Sequence, residues 1–168
     1  MYLMIGTFVV GIPLTWLFIR YRRLHPIEKL GQWLVAITLH KITFNIIVMN
    51  LEWVQRSGRW LDFITTSTTD YLNYSVFMAF VSSMLVACRV SLLSAVGWIA
   101  ISALLLAEAL QLYEHYGMIR FVKWELSTSF IYFFFQILMI YAFGTWFRKR
   151  MQKEGWLSDS LFAQKFQR

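Results

Sequence analysis

From Tyr71 to Leu110 the chain runs almost without interruption through apolar residues, and Arg89 is its only basic side chain there. A helix needs about 20 predominantly apolar residues to cross a bilayer, so this stretch is about twice a spanning length. The economical solution is a helical hairpin. One span covers 71–88 and another 91–111, with the turn near Cys88, Arg89 and Val90. The rest of the composition excludes a soluble core. The 168 residues are 58% hydrophobic and 18% aromatic, with a mean hydropathy of +0.54. A water-soluble domain of this size exposes too much surface to hide that much apolar area. Lipid is the implied solvent.

Three further stretches match a spanning length. Residues 1–19 carry no charge, and Pro13 inside them should kink the helix, because proline removes a backbone donor. With no basic n-region and no small-x-small cleavage site before Arg20, this reads as a span rather than a signal peptide. A second span covers 30–50, interrupted by His40 and Lys41. A longer polar connection follows from Glu52 to about Asp70, including the run Thr65, Thr66, Ser67, Thr68 and Thr69. The last span covers 126–147 and stops at Arg148, Lys149 and Arg150. The expected fold is an all-α integral membrane protein: a five-helix transmembrane bundle over 1–147 and a basic cytoplasmic tail over 148–168. No internal repeat is apparent, and an odd number of spans disfavours an inverted-repeat transporter within one chain.

Lysine and arginine placement sets the orientation. With the first loop cytoplasmic, that side holds Arg20, Arg22, Arg23, Lys29, Arg89, Arg148, Lys149, Arg150, Lys153, Lys165 and Arg168. The other side holds Arg56, Arg59, Arg120 and Lys123, and Lys41 lies within the membrane. The bias places the N-terminus outside and the C-terminus in the cytoplasm of a cell membrane crossed several times. It also accounts for the net charge of +7, so a nucleic-acid partner is not needed to explain the charge. Trp53, Trp60, Tyr71, Tyr74, Tyr113, Tyr116 and Trp124 near the outer boundary, and Trp146 and Trp156 near the inner one, fit interfacial belts. The tail reads as a stop-transfer signal. Trp156, Leu157, Leu161, Phe162 and Phe166 spread too widely around a wheel for an amphipathic helix.

Several chemistries lack their motifs. Cys88 is the only cysteine, which excludes an internal disulfide and a Cys-based metal site. There is no GxSxG elbow, no GxGxxG or Walker loop and no HExxH. Glu108, Glu114, His115 and Glu125 could offer metal ligands near one interface, but His25, His40 and His115 are scattered and the group reads as solvated acids. No metal and no cofactor are expected. The sequon Asn73-Tyr74-Ser75 lies so close to a span that chance explains it.

Two polar stripes remain. A charge such as Lys41 near mid-membrane costs about 2.5–3.5 kcal/mol on insertion scales, so it should face protein or water and have a partner. At 100° per residue Thr38, Asn45 and Glu52 fall within about 60° of Lys41, while His40 points roughly a right angle away. On the fourth span Glu108, Gln111 and His115 share a face, and Glu114 lies off it. If the stripes face each other, Lys41, Asn45, Glu108, Gln111 and His115 line a polar cavity in the outer half of the bundle, with His40, Glu52 and Glu114 as secondary candidates. The plainer alternative is a Lys41–Glu108 pair whose remaining donors the amides satisfy. The third span carries Ser75, Ala79, Ser83 and Ala87 at four-residue spacing, a face that a neighbouring backbone can approach closely. Ala103 and Ala107 of the fourth span make packing within the hairpin the simplest use of that face, with homodimerisation second.

The segment from Glu108 to Ser129, EALQLYEHYGMIRFVKWELSTS, resembles a family of small multi-pass membrane proteins of spore-forming bacteria. In that family a helix ends in spaced glutamates, then an aromatic-basic loop with a tryptophan precedes a serine that opens the last span. Glu108, Glu114, Lys123, Trp124 and Ser127 are the matching positions, in the last third of the chain. The resemblance implies five spans and a bacterial plasma membrane, and no activity. Three functions are consistent with the residues: a non-enzymatic component binding a polar ligand, lipid or partner subunit; a membrane-embedded enzyme acting on a lipid head group through Glu108, Glu114 and His115; and a scaffold or assembly subunit whose partner covers the small-residue face.

Overall fold

The computed structural model describes residues 2–88 and 90–156. Arg89, Met1, and the tail residues Leu157, Asp159, Leu161, Phe162, Lys165, Phe166 and Arg168 lie outside the described residues, and with them the turn and most of the tail.

Five helices carry the chain: α1 (Tyr2–Arg20), α2 (Pro26–Asn50), α3 (Trp60–Cys88), α4 (Leu92–His115) and α5 (Leu126–Lys153). The last four are long and apolar enough to cross a membrane. α2 starts with a reciprocal cap. The His25 side chain accepts the Ile27 N–H, the Glu28 carboxylate accepts the His25 N–H at 2.8 Å, and Pro26 opens the first turn.

Two features depart from the expected layout. The segment from Glu52 to Asp70 is not one polar connection, because α3 begins at Trp60. Its hydroxyls make this possible by bonding back to their own helix: Thr65 donates to the Leu61 carbonyl, Thr66 to Asp62 and Thr69 to Thr65, at 2.8–2.9 Å. Arg59 pairs with Asp62 at 2.8 Å in the first turn. The bundle is also not purely helical. β1 (Val54–Arg56) pairs antiparallel with β2 (Ile119–Phe121), joining the loops after α2 and α4 in the register Val54↔Phe121, Gln55↔Arg120 and Arg56↔Ile119. Left-handed backbone at Glu52 (φ 53°) and Gly117 (φ 68°) turns the chain into the two strands.

α3 packs chiefly against α2 and α5, α4 chiefly against α5, and α1 against the middle of α3. Hairpin neighbours α3 and α4 touch only lightly, since α5 lies against both. The small residues Ser75, Ala79 and Ser83 are buried and Ala87 is half-buried, but this face meets α2 and α5 instead of α4: Ser83 donates to Gln32 of α2. Ala103 and Ala107 of α4 are fully buried as well, on the helix that packs against α5. Phe133, Met78, Ile99, Ile137 and Ile140 fill the core.

Candidate functional site

The buried face of α2 carries Glu28, Gln32, Ala36, His40 and Phe44, every fourth residue. This spacing keeps one stripe on one side of a helix, so α2 turns His40 toward the core and leaves Lys41 on its flank. Within α3, a π-helical turn over Thr69–Tyr74 interrupts the α-helix; such turns often mark functional positions. Ser75 closes this turn twice on the Asp70 carbonyl, through its backbone N–H and through its hydroxyl at 2.7 Å.

The result is a carboxylate shared by two nitrogens. Asp70, only 4% exposed, accepts the Lys41 ammonium at 2.9 Å on one oxygen and faces His40 Nε2 at 3.5 Å on the other. Lys41 approaches from the side with its ammonium 4.1 Å from the Tyr71 ring centre, a geometry that lets an aliphatic stem lie along the helix while the charge is stabilised by the ring face. His40, 1% exposed, lies nearly parallel to the rings of Phe44 and Phe133. Its Nδ1 is 3.1 Å from the Tyr132 hydroxyl and 3.3 Å from Gln136 Oε1. Gln136 donates through Nε2 to the Thr43 hydroxyl at 2.8 Å, and Thr43 donates to the Leu39 carbonyl. Three helices thus share one chain of polar groups: α2 (Thr43, His40, Lys41), α3 (Asp70) and α5 (Tyr132, Gln136).

Beside Asp70 lies a cavity lined by Phe44, Thr66, Thr69, Asp70, Tyr74, Leu110, Tyr113 and Ile119. It has about 10 Å³ open to the centre of a water molecule, roughly enough for one water. The Tyr74 hydroxyl is buried without a hydrogen-bond partner among the described residues, which is the kind of group a buried water satisfies. Two of the lining residues, Thr69 and Tyr113, bond each other through their hydroxyls at 2.6 Å, and Thr7 bonds Thr69 at 3.2 Å. These bonds tie α1, α3 and α4 together.

A second polar cluster sits at the opposite end of the α2–α3–α5 seam. Gln32 accepts the hydroxyls of Ser82 and Ser83 at 2.9 and 3.1 Å. Arg148 Nε lies 3.8 Å from the buried Glu28 carboxylate, and Arg148 Nη1 donates to the Val86 carbonyl at 3.3 Å. Gly144 gives Gln32 its room, for a Cβ there would stand 2.9 Å from the Gln32 amide. Near this end Tyr21 occupies the α1–α2 loop. Burial first, and then the Cys88 thiol, push its phenol above the ordinary range, against the pull of Arg23 and Arg148.

Of the residues singled out from the sequence, Lys41 and the secondary candidate His40 come together. The others do not join them. Asn45, Glu108 and His115 are exposed and Gln111 is half-buried; Lys41 pairs with Asp70, not with Glu108. Glu52 has left the Lys41 stripe because α2 ends in a π-turn, with Leu51 N–H bonded to the Ile46 carbonyl, before the left-handed residue. Glu114 accepts the Phe121 N–H at 3.1 Å, anchoring β2 to the end of α4, and His115 lies edge-on to Tyr116. In the segment that carries the family resemblance, Trp124 donates to Ser129 at 2.6 Å, while Ser127 is exposed and contacts Glu125. Among the described residues no three His, Cys, Asp or Glu side chains gather as metal ligands.

Asp70, Tyr132, Gln136 and Thr43 escaped the sequence reading. Gln136 had a usable signal as the one amide in a span of apolar and aromatic residues, and so did Glu28, Gln32 and His40, which follow one another at four and eight residues. No family model, curated protein or solved structure matches the chain.

Proposed function

We propose that this chain is a five-span protein of a bacterial plasma membrane, N-terminus outside and C-terminus cytoplasmic, acting as a non-enzymatic component whose polar ligand in the outer half of the bundle is a proton held at Asp70. The fifth span would be α1, whose described apolar part, Gly6–Arg20, is shorter than the others. The orientation rests on the eleven basic residues on one side against four on the other. The bacterial plasma membrane rests on the family resemblance.

The observation that carries the proton is the sharing of one buried carboxylate between Lys41 and His40 beside a cavity of one water's size. Ionisable side chains inside a membrane bundle are expensive and mark ligand or proton paths. A buried ion pair seldom stabilises more than well-packed apolar residues would, so packing alone is a poor reason for it. Size then selects the ligand, since a head group or organic solute does not fit a space of about one water. A proton added to Asp70 neutralises the carboxylate and weakens its hold on Lys41, which can withdraw along Tyr71 toward the interface. In that form α2 and α3 lose their charged tie, so protonation acts as a conformational switch. The head-group enzyme has less support, because Glu114 is occupied by the Phe121 N–H and Glu108 and His115 face outward.

Infrared difference spectra between acidic and neutral pH, taken on the full chain in lipid vesicles, test this directly. A protonated-carboxyl band present in the unaltered protein and missing from Asp70→Asn is expected. An identical band pattern in both proteins would remove the proton from Asp70.

A further inference from the structure

Glu108 stands in the middle of the bare face of α4. Ile101, Leu104, Leu105 and Leu112, at offsets of −7, −4, −3 and +4, lie within about 60° of it on the helix and are 48–59% exposed. Gln111 and His115 fall on the same face. Glu108 makes no hydrogen bond or ion pair among the described residues.

The position is not one from which the carboxylate reaches water easily. Glu108 lies seven residues before the end of α4, about 10 Å along the axis. The 24 residues of α4 span roughly 36 Å, against a hydrocarbon thickness of about 30 Å, so centring the helix leaves Glu108 inside the apolar layer. The Cα–Cβ bond of a helical residue tilts toward the helix N-terminus, which from Glu108 is toward the membrane centre. Lipid tails offer a carboxylate nothing, and ionisable residues at such depth almost always face protein or water.

We infer that this face docks a spanning helix of a second, different polypeptide, one that presents a lysine or arginine at the depth of Glu108 and apolar residues around it. The inference needs the chain to be membrane-embedded but is independent of the proton at Asp70. Charge complementarity selects the occupant. In a two-fold dimer of like-oriented chains the axis runs along the membrane normal, so equivalent residues meet at equal depth. Glu108 would then oppose Glu108, while His115 stays about 10 Å away along each helix. Like charges set against each other disfavour a second copy of this chain, and a basic partner removes the conflict. Gln111, one turn along the same face, can supply a further interhelical hydrogen bond.

The test uses the full chain, fluorescently labelled in phosphatidylcholine vesicles, and two synthetic Leu/Ala spanning peptides. One carries a single lysine at the Glu108 depth and the other leucine at that position. Energy transfer should report association of the lysine peptide about threefold tighter or better, the size of a typical interhelical polar contact. The preference should vanish in Glu108→Leu and persist in Glu108→Asp. The leucine substitution sits on an exposed apolar face, so unchanged helical content is expected and guards against misfolding. Equal association of both peptides, or a preference that survives Glu108→Leu, overturns the proposal. Energy transfer between two copies of the chain that Glu108→Leu abolishes also overturns it, by assigning the face to self-association.

Discussion

Lys41 and Asp70, 29 residues apart in sequence, meet at 2.9 Å across the seam between α2 and α3. Removing one partner of a buried pair strands the other charge, at a cost on the order of 3 kcal/mol. Lys41→Met should therefore lower stability by about that amount, with part of the loss tempered by His40, which still faces the second oxygen of Asp70. Lys41→Met combined with Asp70→Asn should recover more than half of it, because no charge is left behind. Reversible unfolding in detergent micelles measures Lys41→Met, Asp70→Asn and the double variant. Additive losses in the double variant would mean that the pair is not coupled.

Gly144 and Gln32 make a second close approach, this one steric. A Cβ on residue 144 would stand 2.9 Å from the Gln32 amide and 3.2 Å from Val86 Cγ2. Gly144→Ala should destabilise the protein by about 1–3 kcal/mol, the usual cost of overpacking. Gln32→Ala in the same chain should return part of the loss by clearing the space, although it also strips Ser82 and Ser83 of their shared acceptor. Thermal unfolding of the two single variants and the double gives the coupling, and an unchanged midpoint in Gly144→Ala would show that α5 does not press on α2 there.

What could be read from the sequence divides along physical lines. Apolar runs located α2, α4 and α5, because a run of spanning length has few alternatives. Asp70 stayed hidden because Thr65, Thr66 and Thr69 resemble a loop, and only the three-dimensional chain shows their hydroxyls returning to carbonyls four residues back. The facing of α2 was ambiguous for a different reason. It carries two polar stripes, one through Lys41 and one through Glu28, Gln32 and His40, and a lysine can reach inward from the flank of a helix that buries a neighbouring residue. For α4 the stripe of Glu108, Gln111 and His115 predicts an inward polar face, yet the helix buries its alanines and leaves Glu108 exposed.

The Tyr113 hydroxyl bonds Thr69 at 2.6 Å and lies 3.4 Å from Thr7. Tyr113→Phe leaves two hydroxyls to satisfy each other, and should cost about 1 kcal/mol. The loss should be local, falling on α1, since Thr7 and Thr69 are where that helix meets α3 near its start. Hydrogen exchange measured by mass spectrometry should speed up in α1 peptides more than in α5 peptides. Equal acceleration in both would point to a global effect and not to a hinge at the hydroxyl cluster.

Orientation offers the most direct check on the membrane reading. The acidic residues Glu52, Asp62, Glu114 and Glu125 lie toward the ribbon end of the bundle, while Arg20, Arg22, Arg23, Lys29, Arg148, Lys149, Arg150 and Lys153 collect at the other. Basic residues near span ends stay cytoplasmic, so the ribbon should be outside. A reporter fused after Arg168 should read as cytoplasmic and one fused before Met1 as external. Moving the balance should move the protein: replacing Arg20, Arg22, Arg23 and Lys29 with Gln leaves the first loop with no lysine or arginine, and a fraction of chains should then mis-orient α1. If the reporter after Arg168 reads as external in the unaltered chain, the orientation is reversed and the Asp70 centre opens toward the cytoplasm. If both reporters read on the same side, α1 does not cross and the bundle has four spans.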